Sequence, residues 1–204
     1  MTTKSPPPPP FLTLAKSRKT TYEFDYKQKI TDANLRYILE AAQWAPSCDN
    51  LQPWYFVVVR NTKMITRLLE STYFTHFPFI HPQPPVLLAF IIRADCKNTK
   101  SSEPTICATN FDLHASDLNI CLGMAVLNAC LAAKDIGVDS CIRTTQPAKA
   151  SRLLKTKSED QVRLLVGLGH EKRGAYQKNR ERNQLLDIAF DEVFGNQSKL
   201  WSKK

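Results

Sequence analysis

The sequence predicts a three-layer α+β domain with a mixed central sheet flanked by helices, and three observations predict it. Helix-period and strand-period segments alternate along the chain, with the strands separated rather than joined as hairpins. Pro85 to Ile92 is apolar at every position after the proline, the pattern of a central strand covered on both faces. Asp112 to Ile136 is a long helical segment apolar on several sides, which requires burial from more than one direction. The 204 residues are one domain by length, with enough chain for a core.

The elements follow in order. Residues 1–10 contain the proline run Ser5 to Pro10, which has no apolar face to bury, so a disordered tail is expected before a domain over 11–204. A short helix is expected near Phe11 to Lys16. Thr31 can cap a helix from Asp32, whose Leu35, Ile38, Leu39 and Ala42 fall on one face, and Pro46 stops it. Trp54 opens WYFVVVR, aromatic and β-branched, a strand. Thr62 to Ser71 reads as a helix with Met64, Ile65, Leu68 and Leu69 inward. Tyr73 to Pro85 reads as an aromatic and proline-rich loop that could cover a pocket, and Arg93 to Thr105 as exposed chain. Gly137 ends the long helix, and Val138 to Ile142 is a short strand. Pro147 opens a helix through Leu154, and Gln161 to Leu168 alternates as a strand. Beyond Arg182, Leu185, Leu186, Ile188, Phe190, Val193 and Phe194 are too apolar for a free tail.

Composition narrows the function classes. Hydrophobic content of 43% is that of a globular protein, and no stretch reads as long and apolar enough to cross a bilayer. No apolar signal region opens the chain, so a cytoplasmic protein is expected. Cys48, Cys96, Cys107, Cys121, Cys130 and Cys141 form no CxxC pair and read as reduced, mostly buried thiols, with disulfide pairing as the lesser alternative. His76, His81, His114 and His170 share no ligand spacing, so no metal is expected. The net charge of +9 lacks aromatic-basic interleaving, which argues for solubility and for anionic small molecules rather than for nucleic acid. There is no GxGxxG, no P-loop and no paired-carboxylate or Ser-His-Asp constellation.

The densest chemical signal is Ala45 to Trp54, APSCDNLQPW, at a helix-to-strand joint. Asn50 and Gln52 can each donate and accept, which suits a planar heterocycle with alternating carbonyls and ring nitrogens, and Pro46 and Pro53 stiffen the loop. The plain alternative is an ordinary polar connection. Upstream lies SRKTTYEF, with Arg18, Lys19, Thr20 and Phe24. The order of basic pair, hydroxyl, Phe, helix, PSxxNxQPW and strand resembles the nitroreductase family of flavoproteins. Ile136 to Cys141, where the family has Gly-Leu-Gly-x-Cys, and the late QKNR extend the likeness over most of Leu12 to Arg182.

The resemblance implies a homodimer holding FMN at the subunit interface, with no nucleic acid or membrane partner. Arg18, Lys19 and Thr20 would meet the phosphate, ribityl chain and ring, and Lys178 and Arg180 would close on the phosphate. Pro46, Ser47 and Asn50, supported by Gln52, would reach the flavin from the partner subunit, and the C-terminal segment would pack on that partner. Ile142, Arg143 and Thr144 would face the flavin's reactive edge. The implied activity is hydride transfer from NAD(P)H to flavin N5, then reduction of a nitroaromatic, quinone or enone in a ping-pong cycle, with the flavin and no catalytic side chain carrying the chemistry. The alternative is a non-catalytic flavin reservoir on the same fold. Two positions depart from the family pattern. Tyr22 stands where a third basic residue is usual, and Arg143 stands where glycine is common; it would hold an anionic substrate, stabilise reduced flavin, or block access.

Overall fold

The computed structural model describes residues 10–73, 83–93, 111–176 and 180–196, with backbone alone over 111–115. The proline tract, most of the aromatic loop with Phe74, Phe77 and Phe79, and Lys178 lie outside the described residues. Helices α1 (Pro10–Ser17), α2 (Asp32–Gln43), α3 (Thr62–Leu69), α4 (Phe111–Asp135), α5 (Pro147–Leu154) and α6 (Leu185–Ile188) accompany strands β1 (Phe24–Asp25), β2 (Trp54–Val59), β3 (Val86–Ile92), β4 (Asp139–Thr144) and β5 (Gln161–Glu171).

Local chemistry sets the boundaries. Thr31 Oγ1 accepts from the Asn34 N–H at 3.1 Å while Asn34 Oδ1 accepts from the Thr31 N–H at 3.0 Å, a reciprocal cap that satisfies two helix-end donors of α2. Gly137, at φ 75°, ends α4. Its N–H reaches Lys134 O, and the Val138 N–H reaches Ala133 O at 2.8 Å, which turns the chain directly into β4.

Strand β3 is buried at all seven positions, between β2 and β5. Its Leu88, Phe90 and Ile92 pack with α2 and α4 on one face, and its Leu87, Ala89 and Ile91 with α3 and α5 on the other. Each fully buried leucine or phenylalanine contributes about 1.5–3 kcal/mol, so this strand anchors both cores. The three layers are therefore as predicted. The sheet differs from the expected mixed one: every strand pair is antiparallel, and the one parallel link among the described residues is the isolated bridge Thr20–Ser140. Strand β5 carries β4, β3 and β1. It can do so because a Cβ on Gly169 would lie 2.5 Å from the Phe24 ring and one on Gly167 2.9 Å from Pro84.

The expectation that no segment could cross a bilayer is corrected by α4. Ser116–Asp135 is long and apolar enough by length and composition, with half of the segment buried inside the protein. It packs on α2, β3 and β4, and the residues that satisfy those neighbours make it apolar. Its outer side, with Ile120, Gly123 and Leu127, is exposed.

Candidate functional site

The basic motif docks on β4 and β5. The Thr21 N–H donates to Ser140 O at 3.0 Å, extending the sheet past β4. Lys19 Nζ meets Glu171 Oε2 at 2.5 Å, in a pair about one-fifth exposed on each side. Glu171 is held in turn: its N–H donates to Asp139 Oδ2 at 2.9 Å, and Asp139 Oδ1 accepts from Lys134 Nζ at 2.9 Å. Lys19 is thus tied to the scaffold, and Glu171 and Asp139 are site-building residues that spacing could not reveal. Arg180 Nη1 donates to Arg18 O at 2.6 Å, bringing the two distant basic motifs together. Among the described residues neither Arg18 nor Arg180 forms an ion pair. A guanidinium anchored on the backbone of a second arginine, with no ion pair to either among the described residues, supplies cations of the kind a phosphate dianion recruits, so this donor set fits the phosphate of FMN.

Ile142 and Thr144 are exposed in β4, whereas Arg143 is buried. Cross-strand pairing explains the alternation. Ile142 and Thr144 pair with Val166 and Leu164, on the α2 and α4 side, and Arg143 pairs with Leu165, on the α3 and α5 side. Of the predicted stretch, Ile142 and Thr144 therefore front the open surface and Arg143 projects the other way. The strand runs to Thr144, two residues beyond the expected end.

The loop after α2 is built as a polar, rigid turn. Cys48–Asn50 forms a single 3-10 turn, and Asp49, Asn50 and Gln52 all have left-handed φ, at 46°, 54° and 48°. Ser47 Oγ accepts from the Gln52 N–H at 3.0 Å, and Gln52 Nε2 donates to Asn50 Oδ1 at 3.1 Å. Pro46, Asn50 and Gln52 are exposed, Ser47 half-buried, and the Cys48 N–H reaches Cys121 Sγ on α4 at 3.4 Å. Cys48 is disulfide-bonded. At Cys48 this corrects the expectation of reduced thiols in favour of the disulfide alternative, since a pair joined only by the fold leaves no trace in spacing. Cys121, Cys130 and Cys141 are free and buried. Burial pushes the Cys130 and Cys141 thiols up from their ordinary range, against the Ser140 hydrogen bond and Arg18 charge at Cys130 and the Arg143 charge at Cys141. Among the described residues no cluster of His, Cys, Asp or Glu could hold a metal.

Comparison with known proteins agrees with this architecture. Residues 15–76, which hold the basic motif, the polar loop and β2, match the family model described as the nitroreductase family. A relative from Archaeoglobus fulgidus, provisionally named an NADH dehydrogenase/NAD(P)H nitroreductase, is 32% identical over 113 residues, 55% of this chain and 55% of that protein. The chain thus spans about half the length of that curated relative. The crystal structure of a nitroreductase family protein from Streptococcus pneumoniae TIGR4 superposes with a TM-score of 0.71 at 23% identity, over 90% of this chain and all of that one. An FMN-dependent nitroreductase from Clostridium difficile R20291 superposes with a TM-score of 0.66 at 19% identity, over 91% of this chain and 99% of that one. At such identities the superpositions establish the fold. The fold is thus that of nitroreductase-family proteins, and residues 15–76 carry the family's sequence likeness.

Proposed function

We propose that this protein is an FMN-dependent oxidoreductase that draws on NAD(P)H to reduce a nitroaromatic, quinone or enone-type acceptor, and that it works as a homodimer in the cytoplasm. The observation that carries this reading is the joining of Arg180 to Arg18, with no ion pair to either among the described residues, in the segment that docks on β4 through Thr20 and Ser140. The names of relatives, NAD(P)H nitroreductase and FMN-dependent nitroreductase, support it.

In this reading Arg18 and Arg180, joined by Lys178, hold the phosphate, and Lys19 acts through its pair with Glu171 to fix the motif. Thr20 lies one residue from the bond to Ser140 and faces the ribityl chain. Ile142 and Thr144 form the floor against which the ring lies, and Arg143 backs them from the other face. Pro46, Ser47, Asn50 and Gln52 reach the ring from the partner subunit, where a rigid turn presents amides with little ordering cost. Bound FMN supplies the hydride acceptance and electron transfer that these side chains cannot. The C-terminal residues Leu185, Ile188, Val193 and Phe194, all more than half exposed in the single chain, pack on the partner. A groove of about 1020 Å³ between α2 and the outer strand β2, lined by Leu35, Trp54, Phe56 and Val58 among others, is a receiving surface.

The test begins with the purified protein. It carries a flavin absorbance band with FMN released on denaturation, and NADPH bleaches the band in stopped flow. Arg18→Ala and Asn50→Ala each lower bound FMN by about tenfold, as loss of a charged or bidentate contact should. A colourless protein that does not take up FMN overturns the reading. A yellow protein that neither NADH nor NADPH bleaches supports the reservoir alternative instead.

A further inference from the structure

Four charges of alternating sign form one chain of contacts from the end of α4 to the basic motif. Lys134 Nζ meets Asp139 Oδ1 at 2.9 Å, Asp139 Oδ2 accepts from the Glu171 N–H at 2.9 Å, and Glu171 Oε2 meets Lys19 Nζ at 2.5 Å. Asp139 is 8% exposed. A carboxylate so buried persists because both oxygens are engaged, one by a cation and one by a backbone donor. The backbone donor has a topological reason. Strand β4 begins at Asp139, opposite Gly169, so its own ladder stops two residues short of Glu171. The Asp139 side chain reaches forward and supplies the acceptor that β4's backbone lacks there.

Glu171, pinned in this way, holds the basic motif at two points. Its Oε2 takes Lys19 and its Oε1 accepts from Thr21 Oγ1 at 3.5 Å. The backbone of the same segment is tied at either end, by the Arg18 N–H to Leu14 O at 3.1 Å and by the Thr21 N–H to Ser140 O at 3.0 Å. Lys19 lies between those ties, and its side chain draws the segment onto β5. Two roles for Lys19 make opposite predictions. If it were a phosphate ligand, Glu171 would compete for it, and loss of that carboxylate would tighten anion binding. If it is an anchor, loss of the carboxylate frees the segment and weakens binding, because a ligand must then order it. The contact to a carboxylate that is itself held by Asp139 favours the anchor.

We infer that Asp139 is a positioning residue for cofactor binding: it pins Glu171, Glu171 holds Lys19 and Thr21, and the segment so fixed presents Arg18 to the phosphate. Lys19 is then an anchor and not a phosphate ligand. The inference rests on the flavin reading for the phosphate that Arg18 meets. The experiment measures the FMN affinity of the full-length protein from the flavin fluorescence released on dilution. Glu171→Met and Lys19→Met each weaken FMN by about tenfold, and the double variant is no weaker than either single one, because the two side chains act as a unit. Asp139→Ala also weakens FMN by about tenfold, whereas Asp139→Asn, which keeps an acceptor for the Glu171 N–H, stays within about threefold of wild type. Charge alone predicts the reverse, since each carboxylate lost beside an anion site strengthens anion binding. Unchanged or tighter FMN in Glu171→Met, additive losses in the double variant, or Asp139→Asn as weak as Asp139→Ala overturns the assignment. Should Asp139→Ala fail to fold, the Lys19 and Glu171 variants decide, because both side chains are partly exposed, 20% and 23%. A wild type that takes up no FMN removes the flavin reading itself; a wild type that binds FMN while Glu171→Met binds it no more weakly removes the positioning role alone.

Discussion

Residue by residue, the polar loop shows how a binding surface is prepared before any ligand arrives. Asp49 and Asn50 accept left-handed backbone at small cost, because their short side chains bond locally; Gln52 does so with less excuse. The bonds from Gln52 to Ser47 and Asn50 hold that geometry, so part of the amide chemistry legible in the sequence is spent on the loop's own rigidity. The thiols give a direct test at this scale. Burial raises Cys130 and Cys141 above an ordinary value of 9.0, so less than about one-tenth of either is thiolate at about pH 8. Alkylation followed by peptide mapping of the native protein leaves both unmodified, and denaturant exposes both to full reaction. Rapid labelling of either in the native state contradicts the packing of β4 against α4.

Among the elements, sequence period served best where one rule dominated. The Thr31 cap, the start of β2 at Trp54 and the Pro147–Leu154 helix all fall where the residues said they would, because each boundary is a local chemical event. Strands β4 and β5 run further than expected, to Thr144 and Glu171. Their extra residues, Arg143 and His170 among them, carry no strand pattern and are extended by partners elsewhere in the chain, Arg143 by Leu165 of β5 and His170 by Asp25 of β1. Burial of Arg143 was invisible for the same reason: which face a strand residue takes is set by register, a property of two segments. Helix α5 offers the cleanest test of local backbone cost. Lys155 caps it in left-handed backbone, φ 53° and ψ 43°, with no role in the candidate site. Lys155→Gly relieves about 1 kcal/mol and raises Tm by about 2–4 °C, measured by calorimetry. A lower Tm would mean that the lysine side chain contributes more than its backbone costs.

At the scale of the molecule, the features left unsatisfied within one chain are arranged as a second chain would need them. Ile120 and Leu127, 59% and 50% exposed, lie seven residues apart on one side of α4, with Gly123 between them adding no side chain to keep another helix away. The C-terminal stretch carries Phe194, 93% exposed and touching only Phe190 among rings in the described residues. The polar loop turns Asn50 and Gln52 outward, while Arg18 and Arg180 meet beside β4. In the proposed dimer all of these become buried together, and the flavin is the object shared between the loop of one subunit and the cations of the other. Cofactor retention and oligomeric state are then one property. Ile120→Glu with Leu127→Glu places two carboxylates in an apolar seam, at a cost of several kcal/mol to association. Light scattering of this variant gives the monomer mass, circular dichroism stays native because both side chains face outward from the single chain, and bound FMN falls by about tenfold or more. A monomer that keeps its full flavin content would show that one chain suffices for the site, and the cross-subunit role assigned to Asn50 and Gln52 would have to be withdrawn.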